Sequence, residues 1–168
     1  MIASNSSPLI HLARSDALGL LKEIFGEVAI PRAVYQEVVE RGKELKLPDA
    51  SKVEFAMKAG WIRLVRLKKE KLREAKELGR CFDLGRGEIE AIMLAKQINT
   101  LLLIDERPAR RVASTLGIKN VGTLGVILRA VELGMLNKEK VREKVRKLIE
   151  GKFFIEPSLL MDILEKLK

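Results

Sequence analysis

Leu101-Leu-Leu-Ile-Asp-Glu-Arg107 puts two carboxylates directly behind four apolar residues. A short apolar run followed by a helical pattern reads as a buried strand of a parallel sheet, and ligands of such sheets bind just past the strands' carboxyl ends. Asp105 therefore stands where an α/β protein does chemistry. Its plainer role is to cap the next helix, and the two roles are compatible. Glu106 is a second, more exposed member of the same turn. Glu88, after Gly85-Arg-Gly87, falls on the helical arc of Ile92 and Ala95. A carboxylate there is costly unless paired or bound to a metal, and its simpler explanation is a first-turn acid favoured by the helix dipole. Glu37 lies roughly 60° from Val34 on its helix, at the edge of the buried face, where a surface salt bridge is the ordinary expectation. Glu40 reads as a surface residue, and Glu90 as solvated or ion-paired. Asn5 and Thr123 follow short strands, so both side chains can reach the same rim.

Other residues point away from competing chemistries. His11 is the only histidine, which rules out a paired-histidine metal site and leaves a structural role. Cys81 is also single, excluding an intramolecular disulfide, and is expected to be a small buried apolar residue. Gly85-Arg-Gly87 lacks the lysine and spacing of a phosphate-binding loop, and Gly117 to Gly125 does not follow the dinucleotide fingerprint.

The elements that must position these groups follow from punctuation and periodicity. Strands are expected at 2–4, 28–30, 61–65 (near an edge), 101–104 (central) and 118–121. Ser7 is expected to cap a helix starting at Pro8. Further helices are expected from Asp16 to Gly26, from Pro31 to near Gly42, and over 50–59, 68–78, 88–98 and 108–116. Loops fall at 43–49 and 79–87. Three closing helices are expected over 123–133, 138–149 and 157–167. Strands alternating with helices argue a parallel α/β sheet. The expected organisation is a single domain over 1–168, with 138–168 as a C-terminal helical extension that caps the core or forms a dimer face.

The chain has 168 residues, 47% of them hydrophobic, enough for a real core. No apolar run approaches the roughly 18 residues of a membrane span, and no signal-like start is present, so a cytoplasmic protein with no membrane partner is expected. The net charge of +9 favours a polyanionic partner, while the 4% aromatic content weighs against base stacking as the main mode of binding. Abundant Lys and Glu also fit a thermophile-like surface of ion pairs.

Five segments stand in a telling order: Ser4-Asn-Ser-Ser-Pro-Leu-Ile10, Ile30-Pro-Arg-Ala-Val-Tyr-Gln-Glu-Val38, Leu84-Gly-Arg-Gly-Glu-Ile-Glu-Ala-Ile92, Leu103-Ile-Asp-Glu-Arg107 and Val121-Gly-Thr-Leu-Gly125. Together they resemble the PIN-domain family of nucleases. They are similar to a prokaryotic PIN-like branch that opens Asn/Asp-Thr-Ser-Pro-Leu-Ile and is related to VapC-type toxins. The resemblance covers nearly the whole chain up to about residue 135. It implies a three-layer α/β/α sandwich with a central, mainly parallel sheet, and a metal-dependent endoribonuclease using Mg²⁺ or Mn²⁺. The metal ligands it implies are Asn5, Glu37, Glu88 and Asp105, with Glu37, Glu88, Asp105 and Thr123 catalytic. Asp105 and Glu88 would be the principal ligands, and Ser6 stands where the branch usually has Thr. Arg86, Arg107, Arg110 and Arg111 are the nearest candidates to hold an RNA backbone. The resemblance further implies a small antitoxin as partner and a homodimer. Asn5 departs from the usual Asp and removes one negative charge, so the alternative is a catalytically weakened module that binds RNA or a protein.

Overall fold

The computed structural model describes residues 1–156, 160, 161, 163 and 165. Five parallel strands, β1 (Ile2–Ser4), β2 (Val28–Ile30), β3 (Ile62–Leu64), β4 (Leu102–Leu103) and β5 (Asn120–Val121), form one sheet in the order β3-β2-β1-β4-β5. The central strand is therefore β1, not the 101–104 segment, which lies one place from the edge. The first strand pairs with β2 through Ile2↔Val28 and with β4 through Ala3↔Leu102 and Ser4↔Leu103. From β1 the chain winds outward to β2 and β3, then crosses back to β4 and β5. The carboxyl end of β1 is thus the place where the winding reverses, the usual crevice of an open α/β sheet.

Helices cover both faces. Alternate residues of the buried strands serve opposite layers. Ile2, Val28, Ile30 and Leu103 pack with α1 (Ser6–Arg14), α2 (Gly19–Phe25), α5 (Pro48–Lys58), α9 (Thr123–Glu132) and α10 (Lys138–Glu150). Ala3, Ala29, Leu102 and Ile104 pack with α6 (Lys69–Cys81), α7 (Arg86–Ile98) and α8 (Arg107–Thr115). The α7 helix packs on Ala3 and Ala29 of the sheet and is flanked by α6, α8 and the segment Arg32–Tyr35, which explains why it is apolar nearly all round. The result is the expected α/β/α sandwich, and no helix among the described residues is long and apolar enough to cross a membrane.

Several boundaries differ from the sequence expectation. The first helix begins at Ser6, with Asn5 in the extended cap position, so Ser7 and Pro8 fall inside its first turn. The segment 43–49 is mostly helical: α3 (Arg32–Tyr35) runs into a widened π turn (Gln36–Glu40) and α4 (Arg41–Glu44), and α5 starts at Pro48. The α6 helix continues through Gly79 to Cys81, shortening the glycine loop, and Cys81 is exposed rather than buried. Most of the helix expected over 157–167 lies outside the described residues.

Candidate active site at the carboxyl end of the central strand

Asn5 leaves the end of β1 and is almost fully buried. Its Nδ2 donates to Glu106 Oε2 at 3.0 Å. A carboxylate only accepts, so this contact fixes which way the Asn5 amide points. The first turn of α1 supplies two more donors: Ser7 Oγ to Glu106 Oε1, and Ser6 Oγ to Glu37 Oε2. Glu106 itself is the N-cap residue of α8.

Glu37 sits in the π turn, a widened geometry common at functional sites. It is exposed and has no ion pair among the described residues, so the expected surface salt bridge is absent. Its carboxylate lies against Gly87 so closely that a Cβ there would stand 2.6 and 2.8 Å from its oxygens. A side chain at Gly87 would thus displace the Glu37 carboxylate, while its backbone angle demands no glycine. Glu88, next along α7, turns back to accept the Gly85 N–H at 2.6 Å, one half of a capping box. Burial pushes the Glu88 carboxyl above its ordinary value; the Gly85 N–H pulls the other way, and the nearby charges of Glu106, Glu37 and Asp83 add to the rise. Glu37, Glu88 and Glu106 are therefore one electrostatic cluster.

Asp105 is engaged differently. Its Oδ1 accepts the Thr123 N–H and its Oδ2 the Thr123 hydroxyl, both at 2.7 Å, and Oδ2 lies 3.1 Å from His11 Nδ1. It thus caps α9 rather than α8. Gly122 leaves it room, since a Cβ there would meet Asp105 Oδ1 at 2.9 Å. Glu90 is buried, not solvated: it accepts from Arg86 Nε at 2.7 Å and from the Ala33 N–H at 3.0 Å, tying α7 to the start of α3.

The four helices α1, α7, α8 and α9 all begin at this rim, and their partial positive ends offset the crowded carboxylates. Among the described residues, no three imidazole, thiol or carboxylate groups already stand together as a metal would hold them. The donor set nonetheless fits a hard cation: three carboxylates, an amide and two hydroxyls, all oxygen donors, with Glu88 raised partly by like charge. The proposed phosphate contacts are unequal. Arg86 is paired with Glu90 and Arg107 with Glu156, whereas among the described residues the Arg110 side chain has only its Nε committed, to Asn120 at 3.0 Å, and Arg111 is exposed.

Strand position places Asn5, Asp105 and Thr123 at the rim, and the family resemblance adds Glu37 and Glu88. The structure brings Glu37 to Ser6, Glu88 to Gly85 and Asp105 to Thr123, beside the Asn5–Glu106 contact. Sequence reasoning did not anticipate that Glu106 rather than Asp105 faces Asn5, nor the roles of Ser6, Ser7 and His11. The signal for Glu106 was present in alternation, since consecutive residues leaving a strand turn to opposite sides. Comparison with curated proteins finds no match. The family model DUF3368, a PIN domain, matches residues 1–168. With that match over the whole sequence, on a parallel α/β/α sandwich with acids gathered where its winding reverses, the chain belongs to the PIN-domain family.

Proposed function

We propose that the protein is a metal-dependent endoribonuclease, with Glu37, Glu88 and Glu106 holding Mg²⁺ or Mn²⁺ beside Asn5. The observation that carries it is geometric: the adjacent hydroxyls of Ser6 and Ser7 hold Glu37 and Glu106, Asn5 holds Glu106, and Glu37 lies against Gly87 in the same first turn of α7 that carries Glu88. A divalent ion, when bound, would lower the pKa of a water and neutralise charge on the phosphoryl oxygens. The protein's own residues set the stage. Ser6 and Ser7 orient Glu37 and Glu106, Asn5 fixes Glu106, and Thr123 with His11 holds Asp105 so that the β4–α8 turn presents Glu106. Asp105, which the resemblance implies as a principal ligand, is in this assignment a positioning residue, and Glu106, one place further on, takes the ligand role.

Titration calorimetry with Mn²⁺, alongside cleavage of a mixed-sequence RNA, tests the assignment. Glu106→Gln should lose both metal binding and metal-dependent cleavage. Asp105→Asn should lower the melting temperature, because it weakens the α9 cap, while metal binding survives in the folded fraction. Equal metal affinity in Glu106→Gln and wild type would overturn it. Asn5 favours a second reading, a weakened module that binds RNA or a small antitoxin-like protein, because its amide brings no charge and its Nδ2 is engaged by Glu106. Asn5→Asp adds that charge and is expected to tighten Mn²⁺ binding; cleavage appearing only in this variant would favour the second reading.

A further inference from the structure

Beyond Asp105 and Glu106 the rim opens into a cavity of about 510 Å³, bounded on its far side by the chain that follows α10. The end of α10 is closed by a double turn in which Lys152 N–H donates to the Ile149 carbonyl and Phe153 N–H to the Leu148 carbonyl, each at 2.9 Å. Lys152 takes a left-handed φ of 62° there, which carries Phe153 and Phe154 round to line the cavity. Phe153 stands edge-on to His11, with ring centroids 4.7 Å apart, so this wall is tied through His11 to Asp105. Phe154 lines the same cavity yet is 79% exposed. Arg110 and Lys152 also line it, and neither has a carboxylate partner among the described residues.

The cavity is lined by Asp105, Glu106 and Glu156 as well as by Arg107, Arg110 and Lys152, so its charges balance overall. An exposed aromatic plane beside two cations that form no ion pair among the described residues, in a volume within the ~300–1,000 Å³ of small-ligand sites, suits a flat group carrying a single phosphate next to the acidic cluster. The chain has few aromatics, but two of its five phenylalanines meet at this wall. We propose that the cavity is a nucleotide subsite, in which one base of single-stranded RNA stacks on Phe154 and its phosphate is held by Arg110 and Lys152. This rests on the nucleic-acid reading above and names the part of the strand that flanks the acidic cluster. An acidic peptide would satisfy the cations but would gain nothing from the aromatic plane.

The test uses an RNA octamer carrying one 2-aminopurine, bound in EDTA so that it stays intact. Binding should quench the fluorophore. Phe154→Ala and Phe154→Leu should each weaken affinity about 5- to 140-fold, the range of one stacked base, whereas Phe55→Ala, comparably exposed on α5, should change nothing. An abasic unit in place of the fluorophore should cost the wild type the same factor and the Phe154 variants nothing. Unquenched binding, wild-type affinity in the Phe154 variants, or an abasic penalty that persists in them overturns the subsite. These binding differences without any metal-dependent cleavage would refute the nuclease assignment alone; cleavage with no Phe154 effect would refute the subsite alone.

Discussion

Glu88 is held between opposing demands. It needs the Gly85 N–H, yet burial and the charges of Glu106, Glu37 and Asp83 favour its protonated form. A carboxyl whose pKa is raised by folding costs stability when ionised; the cost is absent below the ordinary value of 4.5 and complete once pH has passed the raised value. Glu88→Gln keeps an acceptor for Gly85 and removes the charge. Metal-free Glu88→Gln should therefore melt higher than wild type at pH 7, with the gain vanishing below pH 4.5 in a thermal denaturation series. Added Mn²⁺ should raise the wild type and leave the variant unmoved. Asp105, Glu106 and Glu88 are legible as candidates because they follow a strand or open a helix, whereas Glu37, inside a helical segment, is singled out only by the family resemblance. The division of these acids into a cluster around Glu106 and an anchor at Asp105 was not legible, because it depends on which side of the β4–α8 turn each side chain leaves. Nor did the sequence separate Glu90, a buried tie between helices, from a surface acid; that role is set by the Ala33 N–H, which is 57 residues away.

Helices rather than loops bring the acids together, and Gly87 shows how. In the first turn of α7 an alanine would gain helix propensity, up to about 1 kcal/mol, but its Cβ would occupy the place of the Glu37 carboxylate. Gly87→Ala should leave thermal stability equal or slightly higher while weakening Mn²⁺ affinity, as read by calorimetry on the folded protein. A different element-scale tie is Asp16, which joins the α1–α2 turn to α10 through Lys147 and to α5 through Lys52. Hydrogen bonds from Lys147 and Lys52 hold its carboxyl at about 2. A depressed pKa stabilises the fold above the ordinary 3.8, and that contribution is lost as pH falls through about 2. Asp16→Asn keeps a residue that tolerates the left-handed φ of 54°. It should melt lower at pH 7 by about 2 °C, the scale of a screened surface pair, with the difference closing in acid and shrinking in high salt. Helix and strand types are legible because short continuous apolar runs, buried at every residue in β1, β2 and β4, alternate with longer segments of helical apolar spacing. The missed boundaries, at α4 and at the end of α6, are where charged segments lack an apolar rhythm and contacts with neighbouring helices decide.

At the scale of the whole molecule the net charge of +9 surrounds a negative centre. Phosphates can be held by the periphery while the carboxylates await a cation, so RNA affinity should fall steeply with salt. Arg110→Ala should reduce the slope of log affinity against log salt by about one. The sheet order was out of reach of the sequence, since short strands of similar composition do not say which is central. That order has a consequence in time. The first strand made is the middle one, and its Asn5 must wait for Glu106, 101 residues later. At about 5–20 residues per second of synthesis, roughly 5–20 s pass between the two. Throughout that interval the nascent chain owns half a site. On the proposed assignment the metal-holding cluster stays incomplete, by chain order alone, until residue 106 of 168 has been made.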